Sequence, residues 1–251
     1  MWEQHGNSNI SESLISFLKA YNIYKIDYAI ITHFHKDHIS GIFDLEKHLE
    51  NNSLKINSVI YSCDKFEYNK TNIMDNNFGE KSINFKTFKE YINKYKIKEI
   101  MVEKFDKFNI NKNITIDVLN PRNNEIIKSK DKVNSNSLIT CISVNKNNFL
   151  FMGDATIESE YFLINDINKL KNKEYYTYKL NNLKCIQIGH HGSNTSTSEK
   201  FLKSINVKEA VISSKKSVYN HPSDIIVNRL NLHKINTKIT EKLGGTINKI
   251  M

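Results

Sequence analysis

Seven residues, Thr32-His33-Phe34-His35-Lys36-Asp37-His38, close an apolar run and lead into Ile39-Ser40-Gly41. Tyr28-Ala29-Ile30-Ile31 reads as a short buried strand and Asp44 to Glu50 as the start of a helix, which places the segment on a strand-to-helix loop. Along an extended backbone residues two apart point the same way, so His33 and His35 can grip one cation together. Asp37 and His38 follow directly and can turn to a second cation. Nitrogen and carboxylate donors suit zinc, and also manganese or iron. A polar loop of solvated histidines is the bland alternative, and it leaves three imidazoles and a carboxylate so close together unexplained.

Two more strand ends carry chemistry. Phe149-Leu150-Phe151-Met152-Gly153-Asp154 is an apolar run closing on Gly-Asp, which makes Asp154 a candidate ligand bridging two metals. Taken alone, strand-Gly-Asp is equally a turn with an Asx hydrogen bond. Cys185-Ile186-Gln187-Ile188 then runs into Gly189-His190-His191-Gly192-Ser193. Side chains of neighbouring residues diverge, so one of the pair ligates metal and the other contacts substrate or a partner of the ligands. His190 is the favoured ligand and His191 the favoured catalytic contact. The Ser193 to Ser198 run can cap a helix starting near Glu199, whose N-terminus attracts phosphate. Further on, Pro222 is a helix-start signal that places a helix from about Ser223 to Leu232, with His221 at its entry.

In order along the chain, His33-Phe34-His35-Lys36-Asp37-His38, the run ending at Asp154, and His190-His191 resemble the metallo-β-lactamase superfamily. Asn136-Ser137-Leu138, Met152-Gly153-Asp154, Gly189-His190-His191-Gly192-Ser193 and Asn220-His221-Pro222 resemble, more closely, the hydrolase domain of DNA-internalisation competence proteins. The resemblance extends from about Ile10 to Ile250. It implies an αββα sandwich, two sheets face to face with helices outside, formed by residues 1–251 as a single domain. It also implies two divalent metals, zinc or manganese. His33 and His35 would bind the first, Asp37 and His38 the second, Asp154 both, and His190 or His191 would complete the second site. Asp37, His191 and His221 become the candidate catalytic residues, His221 contacting a phosphate or protonating the leaving group. The implied reaction is hydrolysis of DNA or another phosphodiester. Small thioesters, lactones or lactams are the alternative substrates, and a catalytically silent binding module is the alternative from another class.

The chain departs from the family pattern twice. Many members place another histidine ligand before the bridging Asp, whereas His48 is the only histidine between His38 and Asp154 and lies too close to the first motif. Water or a polar group such as Asn134 or Asn136 would stand in for it. Family members also begin with a β-hairpin, whereas this chain enters a helix by Ser11. The expectation is a sandwich lacking its first N-terminal strands, either through truncation or with another chain or segment covering the exposed sheet edge.

At 251 residues the chain can form one two-sheet domain. It has no apolar stretch near the roughly 18 residues of a membrane span and no signal peptide between Met1 and Ala20, so no membrane partner is expected. Cys63, Cys141 and Cys185 form no C-x-x-C pair and read as reduced residues of a cytoplasmic protein. A net charge of +9 favours a polyanionic partner such as nucleic acid. Arg122 and Arg229 are the only arginines, however, and arginine is the better bidentate phosphate reader.

The remainder is scaffold. Ser82 to Tyr95 reads as an amphipathic helix with Phe85, Phe88, Tyr91, Ile92 and Tyr95 inward. Residues 114–118 and 138–142 read as strands and Glu158 to Leu170 as a helix. The Asn- and Lys-rich segments Asp64 to Lys81, Asn120 to Ser135 and Leu170 to Asn182 read as surface loops, and the stretch from Tyr61 to Gly79 is a candidate overhang to the site.

Overall fold

The computed structural model describes residues 10–62, 79–121, 127, 129–214 and 220–243. Cys63, most of the candidate overhang and Val218-Tyr219 lie outside the described residues. The chain divides into two compact units, residues 1–102 and 103–251.

The first unit runs α1 (Ile10–Ala20), β1 (Lys25–Ile31), α2 (Lys36–Phe43), α3 (Glu46–Glu50), β2 (Lys55–Tyr61), α4 (Gly79–Lys94) and β3 (Lys98–Met101). Its three strands are parallel in the order β1-β2-β3. Parallel neighbours need crossover connections, and the helices supply them. In α4, Phe88, Tyr91 and Ile92 recur at helical spacing and are buried. The Phe88 ring meets those of Phe34 and Tyr61, with the Phe34 and Phe88 centroids 5.4 Å apart, and the Tyr91 hydroxyl donates to Ile42 O at 2.7 Å.

One local expectation is corrected. The helix expected over Asp44 to Glu50 is present as α3, but the loop expected before it is a separate helix, α2, so Asp37 and His38 sit in the first turn of α2 and Ile39-Ser40-Gly41 is helical. Asp37 is a carboxylate in a first turn, where the helix dipole favours it. His38, Ile39 and Ile42 form the buried face that outweighs the glycine, which costs about 1 kcal/mol.

The second unit comprises β4 (Lys107–Asn111), β5 (Ile114–Asn120), α5 (Lys132–Ser135), β6 (Ile139–Val144), β7 (Asn147–Phe151), α6 (Ile157–Asn168), α7 (Lys173–Asn181), β8 (Leu183–Gln187), α8 (Glu199–Lys203), β9 (Glu209–Ile212), α9 (Asp224–Leu232), β10 (Asn236–Ile239) and α10 (Thr240–Leu243). Seven strands form one sheet in the order β10-β9-β8-β7-β6-β5-β4. It is antiparallel from β4 to β7 and parallel from β7 to β10. Asn145 and Lys146, both at positive φ, make the two-residue turn between β6 and β7. Because β7, β8 and β9 are parallel, their C-terminal ends share one sheet edge. Leu150, Ile186, Ile188, Leu163, Phe201, Ala210 and Ile226 belong to its core.

Most of the segment expected as a loop from Leu170 to Asn182 is instead α7. Tyr176 and Leu180, four apart, are buried on one face and supply the apolar area that its Lys- and Asn-rich composition conceals. Cys141 and Cys185 are free and buried. Among the described residues no helix is long and apolar enough to cross a membrane.

Candidate metal centre

Period-two alternation arranges the donors of the first unit. Phe34 is 2% exposed and packs edge-on against Phe85, 4.9 Å between centroids, so His33 and His35 share the other side of the segment leaving β1. His33 Nε2 and His35 Nδ1 are 3.0 Å apart. The Thr32 hydroxyl lies 3.1 Å from His33 Nδ1 and 3.4 Å from His38 Nδ1. A proton on His33 Nδ1 donated to that hydroxyl leaves a lone pair on Nε2, facing the nitrogen of His35. The His33 and His38 rings are 4.1 Å apart, and Asp37 Oδ2 is 3.8 Å from His38 Nε2. Three imidazoles and a carboxylate therefore lie together at the strand-to-helix junction.

In the second unit β7 ends at Phe151, and Met152-Gly153-Asp154 turns away with Gly153 at φ 55°. Gln187, at the end of β8, holds this turn: its Oε1 accepts from Met152 N at 2.9 Å and from Gly153 N at 3.0 Å. Asp154, 3% exposed, donates its backbone N–H to Ser137 Oγ at 3.2 Å. Replacing Gln187 by Met leaves two buried N–H groups unpaired. At roughly 1–3 kcal/mol each, the expected loss is about 2–6 kcal/mol in urea unfolding. A loss below about 0.5 kcal/mol would show that Gln187 does not hold the turn.

His190 N donates to Gly153 O at 3.1 Å, which ties the histidine pair to the Asp154 turn. Gly189 admits this approach, since a Cβ there would come 2.8 Å from Ala155 O. His190 and His191 adopt left-handed backbones at φ 47° and 54°, a strained arrangement for non-glycine residues that persists only under strong tertiary constraint. Gly192, at φ 78°, abuts Pro222, and its O accepts from Ser223 N at 2.9 Å.

The two rings differ in what they can offer. His191 Nδ1 is 2.9 Å from Ser213 O, an acceptor, so Nδ1 carries the proton. His191 Nε2 then faces Asp154 Oδ2 at 3.4 Å. A lone pair against a carboxylate calls for an added proton or a shared cation, which is the donor chemistry of a metal ligand. His190 Nε2 lies 3.1 Å from Asn134 Nδ2, which also donates to Asp131 Oδ2 at 2.7 Å. The carboxylate fixes the amide's orientation, so His190 Nε2 accepts and its Nδ1 donates to Thr195 Oγ1 at 2.9 Å. Both nitrogens of His190 are engaged within the protein.

The His221 ring lies 6.2 Å from that of His190. Burial, then the neighbouring His190 and His191, hold His221 below the usual imidazole range. It lines a cleft of about 370 Å³ with Asn194, Asn220, Pro222, Ser223, Asp224 and Ile225. His48 is remote in role: it sits in α3, 3.1 Å from Ser53 Oγ. Asn136 closes its own loop, donating to Lys132 O at 2.6 Å, whereas Asn134 reaches His190. Gln187 and Ser213 escape detection in the sequence, because a glutamine or serine at a strand end carries no motif of its own.

Residues 6–214 match the model of the metallo-β-lactamase superfamily, and the chain belongs to that superfamily. It is a metal-dependent hydrolase of mixed α/β fold, with clusters of metal-ligand side chains at the ends of its strands. At low identity it is homologous to competence-associated proteins. It is 25% identical to ComE operon protein 3 of Bacillus subtilis over 98% of this chain and 27% of that protein. Over 47% of this chain and 13% of the relative, it is 30% identical to Recombination protein 2 of Haemophilus influenzae. The chain thus spans about a quarter of the length of the first relative and less of the second. The metallo-β-lactamase fold protein YhfI of Bacillus subtilis superposes with a TM-score of 0.51 at 11% identity, covering 92% of this chain and 81% of that one.

Proposed function

We propose that this chain hydrolyses phosphodiesters, with DNA as the substrate, using two divalent ions, zinc or manganese. In this reading His33 and His35 hold the first ion, Asp37, His38 and His191 the second, and Asp154 both. The fold is read as the mixed α/β sandwich of the superfamily. The observation that carries the metal assignment is the proton-bearing Nδ1 of His191 on Ser213, which turns Nε2 to the Asp154 carboxylate. It favours His191 over His190 as the ligand. Bound divalent ions supply Lewis-acid stabilisation of charge on the phosphate and the leaving oxygen.

The chain's own residues do the rest. Ser213 fixes the tautomer of His191, and Gln187 and Ser137 fix the Asp154 turn. His190, held between Asn134 and Thr195 through both ring nitrogens, packs beside the ligand pair as their supporting partner. His221, which burial biases toward the neutral imidazole at the lip of the cleft, would donate a hydrogen bond from its ring N–H to a substrate phosphate. A relative named for recombination supports a DNA substrate, as does the net charge of +9.

In the first unit, β1 pairs only with β2 among the described residues, and Tyr24 before it and Tyr28 within it are exposed. These features support a sheet short of its first strands, with that edge covered by another segment or chain. Free buried cysteines fit a reducing, cytoplasmic setting.

The test is cleavage of labelled single- and double-stranded DNA by the full chain with Mn²⁺ or Zn²⁺, beside Asp37→Ala. Cleavage that needs metal and falls on the order of 10²–10³-fold in the variant is expected. Metal binding without cleavage of either substrate would overturn the DNA assignment and direct the search to small esters and lactones.

A further inference from the structure

Glu160 lies in α6 and is 1% exposed. Its two oxygens are spent on one short stretch of backbone: Oε1 accepts from Thr197 N at 2.5 Å and Oε2 from Ser198 N at 2.8 Å. Arg229 of α9 grips the other side of the same residue, donating from Nη1 to Thr197 O at 2.5 Å. Thr197 is β-branched and sits at φ 54°. A left-handed backbone at such a residue is an outlier that persists only where its surroundings over-determine it. Glu160 and Arg229 are those surroundings.

The stretch they hold leads straight back to the histidine pair. Ser196 Oγ donates to Gly189 O at 2.7 Å and to Ser193 O at 3.0 Å, closing the loop on itself. Thr195 O accepts from Ile157 N at the start of α6, and Thr195 Oγ1 bonds His190 Nδ1 at 2.9 Å. His190, His191, Gly192 and Thr197 are all left-handed within this one loop. Glu160 is therefore the buried anchor of a loop whose backbone would relax without it.

We propose that Glu160 is a positioning residue for hydrolysis: by clamping the Thr197–Ser198 backbone with both carboxylate oxygens it sets the places of the His190 and His191 rings. This rests on the reading above in which those rings belong to the site. Burial pushes the carboxyl up to about 7 despite its backbone bonds and Arg229; what places the group is the pair of bonds from Thr197 N and Ser198 N. Glutamine cannot reproduce it. One of its two polar atoms is an NH₂ group, which would meet a backbone N–H donor head-on.

The experiment compares Glu160→Gln with Asp166→Asn in the zinc-loaded full chain. Asp166 is also on α6 and accepts from Lys104 at 2.8 Å, away from the loop. Ring-nitrogen NMR signals of the histidines and hydrolysis of bis(p-nitrophenyl) phosphate are followed for both. In Glu160→Gln the His190 and His191 signals should shift or broaden, and kcat should fall about 10–100-fold with KM nearly unchanged, as expected when reacting groups are misplaced. Asp166→Asn should lower the melting temperature yet leave both readouts unchanged. Identical behaviour of the two variants would overturn the proposal and reduce Glu160 to a stabilising residue. Should Glu160→Gln fail to fold, Arg229→Lys loosens the same clamp from the other side. Unchanged histidine signals there would be equally fatal. If the parent proves inactive on phosphodiesters, the ring signals still decide, so failure of the substrate assignment is distinguishable from failure of the clamp.

Discussion

Asp154→Asn lowers kcat/KM on the order of 10³-fold, corresponding to the several kcal/mol of charge stabilisation that correctly held metal ions provide. The substitution keeps the size of the side chain and leaves the backbone bond to Ser137 Oγ intact. Its fold should survive, with a melting temperature in chelator close to that of the parent. What disappears is the carboxylate opposite His191 Nε2, and with it the rise in melting temperature that Zn²⁺ or Mn²⁺ gives the parent, since only a ligand bound to the native state stabilises it. A thermal-shift titration reads this directly. An undiminished metal-induced shift in Asp154→Asn would remove Asp154 from the ligand set.

The largest loss of stability is expected from Lys179→Met, away from the metal centre. Asp117 on β5 is fully buried, and Lys179 on α7 pairs with it while the Tyr175 hydroxyl donates to both carboxylate oxygens at 2.9 and 3.2 Å. Lys107 and Lys179 lie 4.5 and 4.8 Å from the Tyr175 ring centroid. Removing the ammonium strands a buried carboxylate, which costs about 3–5 kcal/mol. For a chain of this size that is a fall in melting temperature of roughly 6–20 °C. Adding Asp117→Leu should recover most of it, because an apolar pair of similar volume avoids the desolvation of both charges. A single variant that loses less than about 1 kcal/mol would mean that the carboxylate finds water.

The donor-bearing strand ends were legible because the chain writes them locally. His33 and His35 flank Phe34 in a run whose period of two announces both the cation-facing side and the core-facing side. Phe88, Tyr91 and Ile92 announce α4 in the same way at a period near 3.6. Harder to read were elements whose apolar residues are few. In α7 only Tyr176 and Leu180 mark the buried face, and the lysine that joins them there, Lys179, is stabilised by a carboxylate 62 positions away. The short strand β3 is largely exposed and has almost no apolar signature. The start of α2 was hidden because His35 caps it through backbone conformation, its side chain making no capping bond to the helix. The chemistry of the histidine pair was out of reach for another reason. Which nitrogen each ring can offer depends on Asn134 and Ser213, partners that only the folded sheet brings alongside.

Gly192 and Pro222 touch with no side chain between them, and Ser223 N bonds Gly192 O. The loop of His190 and His191 and the cleft that His221 lines therefore cannot fluctuate independently: their conformational entropies are shared. A ligand that quiets one quiets the other, so two contacts made at these histidines carry the ordering cost of one. Binding at the cleft and binding at the histidine pair would then be cooperative without any change in the average structure.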